Sequence, residues 1–209
     1  MRHALAATGV IAAGLVFGAV NTFFPPLQAR HFAFGQGTAT ELTQARVLAT
    51  NKTSTLEKEL NEAAEAGFQF SAVMGGETAM GGKEVVAVVT RVGTSPSAAR
   101  YLYKLLATSK TSTMEKELRE AADAGFEYRG QTVFESLFGG QEVVVILERD
   151  KDATQRGDYK LIATSKTSTL EKELLEAGNA GYSVVGMTVS KTAIGGRELV
   201  AIVRRPSIQ

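Results

Sequence analysis

Three lysines stand in near-identical surroundings: the phrase Lys-Thr-Ser-Thr opens at Lys52, Lys110 and Lys166. A lysine among hydroxyls at a helix start can hold phosphate or sulfate, because free backbone N–H groups and the positive helix end favour an anion there. No Gly-rich cradle precedes these lysines, so the phrase is not a P-loop. Glu57, Glu59 and their counterparts are expected to fill the same positive helix end, which favours a plain strand-to-helix turn. Ser109-Lys110 and Ser165-Lys166 set a hydroxyl beside an amine, the elements of a Ser-Lys nucleophile. Neighbouring residues after a strand rarely point at each other, and an active site repeated along one chain is unusual. The carboxylates read as a solvated helix face: Glu57, Lys58, Glu59 and Glu62 alternate in sign, and Glu115 stands four residues before Arg119. The only histidines, His3 and His31, precede all of this, and there is no cysteine. Disulfides, thiolate metal sites and His- or Cys-dependent triads are therefore excluded from the repeated region. No acid, base and nucleophile converge. The sequence predicts a protein that is not an enzyme, with no catalytic residue, metal or cofactor, and with Lys52, Lys110 and Lys166 as weak candidate anion sites.

The elements that carry these residues repeat. Arg46–Arg91, Lys104–Arg149 and Lys160–Arg205 align without a gap. Each copy opens with a short strand: Val47-Leu48-Ala49, Leu105-Leu106-Ala107 or Leu161-Ile162-Ala163. A helix follows. Ser54, Ser112 and Ser168 each precede a glutamate by three positions (Glu57, Glu115, Glu171), which predicts a capping box. Leu56, Leu60, Ala63 and Ala64 then fall at helical spacing, as do Met114, Leu118, Ala121 and Ala122. Gly67, Gly125 and Gly181 are expected to stop the helices in the left-handed conformation. A second strand starts at Phe68, Phe126 or Tyr182, and glycine pairs at 81–82, 139–140 and 195–196 turn a hairpin. The third strand is almost wholly apolar: Val85–Val89, Val143–Leu147, Leu199–Val203. A strand apolar on both faces is buried on both, so it belongs in the centre of its sheet, antiparallel to its neighbours. The fold class is therefore α+β: three tandem β-α-β-β modules, each a three-stranded sheet with one helix on one face. A module this short buries too little surface alone. The three sheets are expected to pack on each other as one body, with pseudo-threefold symmetry as one arrangement.

Segments such as YKLLATSKTSTMEKELREAADAGFEY, followed by VVVILER, resemble a family of small uncharacterised bacterial β-α-β-β domains. That pattern has a Tyr-Lys-Val strand, a Leu-Glu-Lys-Glu-Leu helix, a Gly-aromatic step and a terminal strand closed by Lys or Arg. The resemblance covers all three copies and not the N-terminal segment. It implies a fold and no activity. The family's usual Gly-Trp step is Gly-Phe or Gly-Tyr here.

Ala4 to Gln28 contains no charged residue, and Pro25-Pro26 end the apolar run. Ala4 to Phe24 meets the length of about 20 apolar residues that a transmembrane helix needs, although Thr8, Asn21 and Thr22 dilute it. Gly14 and Gly18 form a G-x-x-x-G pair that permits close approach of another helix, and Phe23 and Phe24 would lie near an interface. A cleaved signal peptide ending at Ala29 is the competing reading, with Leu27 a mediocre −3 residue. The apolar run exceeds a usual signal core, which favours a retained anchor. The division expected is an anchor or signal peptide at 1–29, a spacer at 30–44, modules at 45–91, 100–149 and 158–209, and linkers at 92–99 and 150–157.

With 23 basic and 22 acidic residues among 209, the net charge of +1 offers no field for nucleic acid. Met80, Phe138 and Ile194 sit at the hairpin tips, and Tyr101, Tyr103 and Tyr159 at the starts of strands. Such side chains either fold back over the sheet or are offered to a partner. The copies have also diverged. Asn61, Arg119 and Leu175 share one helix position, Ser71, Arg129 and Val185 share a strand position, and Gly75-Gly76 stands where the second copy has Val133-Phe134. Unequal surfaces suit one large partner better than three equal ligand sites. The reading is a non-catalytic, membrane-tethered interaction or scaffold protein. It would brace a larger bacterial inner-membrane assembly, respiratory or photosynthetic, with its N-terminus cytoplasmic and its modules periplasmic. Its partners would be other membrane-protein subunits, met through Gly14, Gly18, Phe23, Phe24, Met80, Phe138 and Ile194, with no small-molecule substrate. The alternatives are a periplasmic or secreted small-anion binder and, less favoured, a small hydrolase.

Overall fold

A computed structural model of the chain describes residues 42–77, 82–92, 99–135, 141–154, 156–191 and 196–207. Gly14, Gly18, Phe23, Phe24, Met80, Phe138 and Ile194 lie outside the described residues. Three copies of one unit follow each other: β1 (Leu42–Thr50), α1 (Thr53–Glu65), β2 (Gln69–Glu77) and β3 (Lys83–Val92); β4 (Tyr101–Thr108), α2 (Thr111–Asp123), β5 (Glu127–Glu135) and β6 (Gln141–Asp150); β7 (Gly157–Thr164), α3 (Thr167–Asn179), β8 (Ser183–Lys191) and β9 (Arg197–Pro206). The class is α+β with internal repeats. The first strand is longer than its apolar triplet suggests, and β1 already begins inside the expected spacer.

The helices start earlier than the capping-box reading had them. Lys52, Lys110 and Lys166 are the N-cap residues, and no side chain caps from that position. Ser54, Ser112 and Ser168 therefore fall inside the first turn, where a capping box cannot form. The hydroxyl of Thr50 instead accepts the Lys52 N–H at 3.2 Å, and Thr108 and Thr164 do the same for Lys110 and Lys166 at 3.1 and 3.3 Å. That local bond turns the chain out of the strand and into the helix.

The helix ends follow the sequence. Gly67, Gly125 and Gly181 have φ of 81°, 83° and 84°. The Gly67 N–H bonds the Ala64 carbonyl and the Phe68 N–H bonds the Ala63 carbonyl, each at 2.9 Å, which is a Schellman motif. The arginine closing each module completes the stop. Arg91, Arg149 and Arg205 donate to the carbonyls of Ala66, Ala124 and Ala180 at 3.1, 3.2 and 3.4 Å. Their guanidinium carbons lie 5.0, 5.2 and 4.6 Å from the ring centres of Phe68, Phe126 and Tyr182. A cation at a helix C-terminus is favourable in itself, and the ring adds a cation–π contact. The Gly-aromatic step and the terminal arginine are thus one lock.

Each sheet has three antiparallel strands with the last in the middle: β1-β3-β2, β4-β6-β5 and β7-β9-β8. Two-sided burial of the central strand holds for the second and third sheets. Every residue from Val143 to Glu148 is buried, and so is every residue from Val200 to Val203. In β3 only Val85, Ala87 and Val89 are fully buried, while Val86 and Val88 are partly exposed. The difference has a simple cause. Leu56, Leu60, Ala63 and Ala64 of α1 pack on Val85, Ala87 and Val89 of their own sheet, and the same cluster takes in Tyr103, Phe134, Val144 and Ile146 of the second module. In the next layer Met114, Leu118, Ala121 and Ala122 of α2 join Val143, Val145 and Leu147 to Tyr159 and Ile202 of the third. α1 and α2 therefore each cover their own sheet and the far face of the sheet that follows. The far face of the first sheet has no preceding helix among the described residues.

This corrects the expectation that the free sheet faces bury one another. The cover comes from the preceding helix, helped where β2 meets β5 and β5 meets β8. A fully buried Leu, Ile or Val contributes roughly 1.5–3 kcal/mol, so stripping Val144, Ile146 and Phe134 of their cover removes several such terms. Residues 100–150 expressed alone should lack a cooperative thermal transition or should oligomerise. A sharp monomeric melt of that fragment, followed by circular dichroism, would contradict the shared-helix arrangement.

Candidate functional site

The seams between modules hold the polar chemistry of this body. β4 is an edge strand, and edge strands carry unpaired backbone groups. The preceding helix supplies partners for them. Asn61 donates to the Tyr103 carbonyl and accepts from the Tyr103 N–H, both at 2.9 Å, and Glu57 accepts from the Leu105 N–H at 2.8 Å. Glu57, read from the sequence as half of a capping box, serves the next module. At the second seam Arg119 donates to the Tyr159 carbonyl at 3.1 Å while paired with Glu115 at 2.7 Å.

Each seam also has a buried tyrosine. β2 is bulged between Phe70 and Ala72, and β5 between Tyr128 and Gly130. A bulge interrupts the ladder and strands backbone donors. The Tyr103 hydroxyl accepts the Phe70 N–H at 2.8 Å, and the Tyr159 hydroxyl accepts the Tyr128 N–H at 2.6 Å. Tyr103 donates in turn to Glu148, at 2.6 Å. Glu148 is 2% exposed and meets the Arg129 guanidinium at 2.6 Å, with the Gln69 amide 3.5 Å away across the seam. At the second seam the equivalent cross-module pair is Glu127 with Arg204, at 2.6 Å. Burial, and then the hydrogen bond to Glu148, push the Tyr103 phenol above its ordinary value. Burial does the same to Tyr159, and Tyr128 is pushed up to about 12 by burial and by its neighbour Tyr159. Tyr103 thus acts as a fixed donor and acceptor, and Tyr159 as a fixed acceptor.

Close approach is built into the same seams. A Cβ on Gly130 would stand 3.2 Å from the Phe70 ring, one on Gly186 would meet the Tyr128 hydroxyl, and one on Gly75 would meet the Val133 carbonyl. Phe134, which stands where the first module has Gly76, is buried against the first module's core.

The sequence-derived sites fare unevenly. Lys52, Lys110 and Lys166 are exposed N-caps. Contrary to expectation, no acidic side chain occupies the first turn of any of the three helices, so the positive helix ends are not filled by Glu57, Glu59 or their counterparts. Tyr103 and Tyr159, weighed as exposed partner contacts, are buried at 4% and 0% exposure. A hollow of about 840 Å³ lies where the second and third modules meet. Three of its charged groups are engaged: Asp158 accepts from Tyr182 and pairs with Arg205 at 3.2 Å, and Arg119 holds Glu115. Among the described residues no group of His, Cys, Asp or Glu is placed to hold a metal ion, and no helix is long and apolar enough to cross a membrane.

The stack ends in two apolar surfaces that sequence reasoning missed. Val47 is 67% and Met74 62% exposed on the open face of the first sheet. Leu175 on α3 is 67% exposed, and Val184, Met187 and Val189 on β8 are 49%, 53% and 48% exposed. The one signal available was divergence. Leu175 stands where the other copies have Asn61 and Arg119, and both of those side chains turn out to clasp the next module.

Replacing Tyr103 by Phe leaves the Phe70 N–H and one Glu148 oxygen without this partner, and should cost about 1–3 kcal/mol in denaturant melts. The pH dependence has a definite sign. A phenol raised above its unfolded value of about 10 contributes stability that is complete below that pH and is lost as pH rises toward the folded value. Stability should therefore fall steeply above pH ~10, and Tyr103→Phe should flatten that fall. An unchanged slope would show that Tyr103 is not held as described.

Compared with known proteins, the chain matches no family model, no curated protein and no solved structure.

Proposed function

We propose that this protein is a non-catalytic, membrane-tethered interaction scaffold, an accessory subunit that braces a larger bacterial membrane assembly from the periplasmic side. One observation carries the reading: the six large apolar side chains exposed among the described residues all fall on the two ends of the stack. Single exposed apolar residues need no explanation, but clusters facing away from a well-packed body mark contact surfaces. The side surfaces are of another kind. Helix pairs such as Lys58–Glu62, Lys116–Glu120 and Lys172–Glu176 are solvent-exposed and worth little beyond solubility. At the seams Asn61, Arg119, Tyr103 and Tyr159 make hydrogen bonds with the neighbouring module, which is the economy of a rigid platform. The uncharged run from Ala4 to Phe24 supports the tether, and a respiratory or photosynthetic complex is the class of assembly that such an anchor and platform would suit.

In lipid there is no water to expel between apolar helices, so close packing at Gly14 and Gly18 would matter for association with a partner helix. The native protein, purified in mild detergent, should keep its N-terminal segment and bring membrane subunits with it. The Gly14→Leu, Gly18→Leu double variant should recover several-fold less of those subunits while the modules stay folded by circular dichroism. A mature N-terminus at Arg30 would make the segment a signal peptide and remove the tether. Unchanged recovery with the double variant would move recognition to the modules.

A further inference from the structure

We propose that the two open ends bind each other, so that copies of this chain stack head to tail, the first module of one copy sitting on the third module of another as a fourth module would. The proposal rests on reading the end faces as contact surfaces, and not on the membrane tether.

Repeat bodies that exist as single stacks close their ends with polar surfaces. Here both ends are apolar, and each is the continuation of a seam the chain already makes twice. The face that receives the next module is built at equivalent positions in every copy. It uses Asn61, Phe70 and Val73 at the first seam and Arg119, Tyr128 and Gln131 at the second. In the third module these positions are Leu175, Val184 and Met187, and all three are exposed. The face that is received uses Tyr103, Leu105 and Gly130, then Tyr159, Leu161 and Gly186. In the first module these are Ala45, Val47 and Ala72, and all three are exposed.

The substitutions at the two open ends compensate each other. At the internal seams an aromatic ring lies over glycine: Phe70 over Gly130, where a Cβ would be crowded at 3.2 Å, and Tyr128 over Gly186, where a Cβ would collide. At the open ends the ring is replaced by the shorter Val184 and the glycine by Ala72, so space freed on one side is taken up in part by the methyl group added on the other. Asn61 and Arg119 clasp the backbone of a tyrosine. The open ends offer the apolar Leu175 and the small Ala45 in those places. The charges follow the same rule. Gln69 faces Glu148 and Glu127 pairs with Arg204 across the internal seams. The corresponding residues at the ends are Ser183 and Thr90, so a third seam buries no unpaired charge. A contact between two different faces is heterologous, so it either extends the stack or closes it into a ring.

The chain has no cysteine, which makes thiol cross-linking clean. Full-length Ala45→Cys and full-length Leu175→Cys, purified separately in mild detergent and then mixed and oxidised, should give a covalent dimer containing one of each. Each variant alone should give at least tenfold less. Adding Val184→Asp or Met187→Asp to the Leu175→Cys chain should lower the mixed dimer about tenfold. Both positions are exposed in the single chain, so circular dichroism should be unchanged. The proposal is overturned if the mixture gives no more dimer than the single variants, or if neither aspartate lowers the yield. It is equally overturned if both thiols are shielded from maleimide without cross-linking, which would assign the ends to another occupant and leave the scaffold reading standing.

Discussion

Three modules of three strands share one shortage: each has a single helix and a central strand that needs cover on both faces. β6 and β9 carry Val, Ile and Leu on both sides, and one helix reaches only one side. The structure resolves this by making α1 and α2 each serve two sheets. Leu56 and Leu60 are 0% exposed because Val85 and Val89 lie beneath them while Tyr103 and Ile146 close the same cluster from above. The modules are therefore not beads on a chain. Remove one and its neighbour loses a wall of its core. The cost falls on the ends, where among the described residues no helix precedes the first sheet and no sheet follows the third helix.

Stacking a sheet on a helix creates a polar problem as well as an apolar gain. An edge strand brought against a helix carries N–H and C=O groups that water no longer reaches, and each left unpaired would cost about 1–3 kcal/mol. Asn61, Glu57 and Arg119 answer this from the helix side, and the hydroxyls of Tyr103 and Tyr159 answer it at the bulges. Tyr103, Glu148 and Arg129 look at first like catalytic furniture. Their geometry is that of a support: the phenol is buried, held protonated and engaged both as donor and as acceptor. The same positions differ between seams, Gln69 with Glu148 at one and Glu127 with Arg204 at the other, so each junction is matched to its own partner.

What was legible in the sequence was local or periodic. The helix stops at Gly67, Gly125 and Gly181, the central place of the apolar strands and the threefold repeat all follow from spacing within one copy. The helix starts misled because Ser54 and Glu57 fit a capping pattern, while the deciding contact was a threonine hydroxyl at the end of the preceding strand. The seams were illegible for a different reason. Asn61 and Tyr103 lie far apart in the chain, and no period links them. The divergence of Asn61, Arg119 and Leu175, and of Ser71, Arg129 and Val185, marked the right places without saying that they faced a neighbouring module. The end faces could not be read at all before the stacking direction was known, because Val47 and Leu105 are equivalent in sequence and opposite in environment.

If shared helices hold the body together, its modules cannot unfold one at a time. Differential scanning calorimetry of residues 40–209, a single compact unit, addresses this without any substitution. The account predicts one transition whose calorimetric enthalpy equals the van't Hoff enthalpy, the signature of a single cooperative unit. Two or three resolved transitions, or a calorimetric enthalpy two to three times the van't Hoff value, would mean that the modules melt independently and would contradict it.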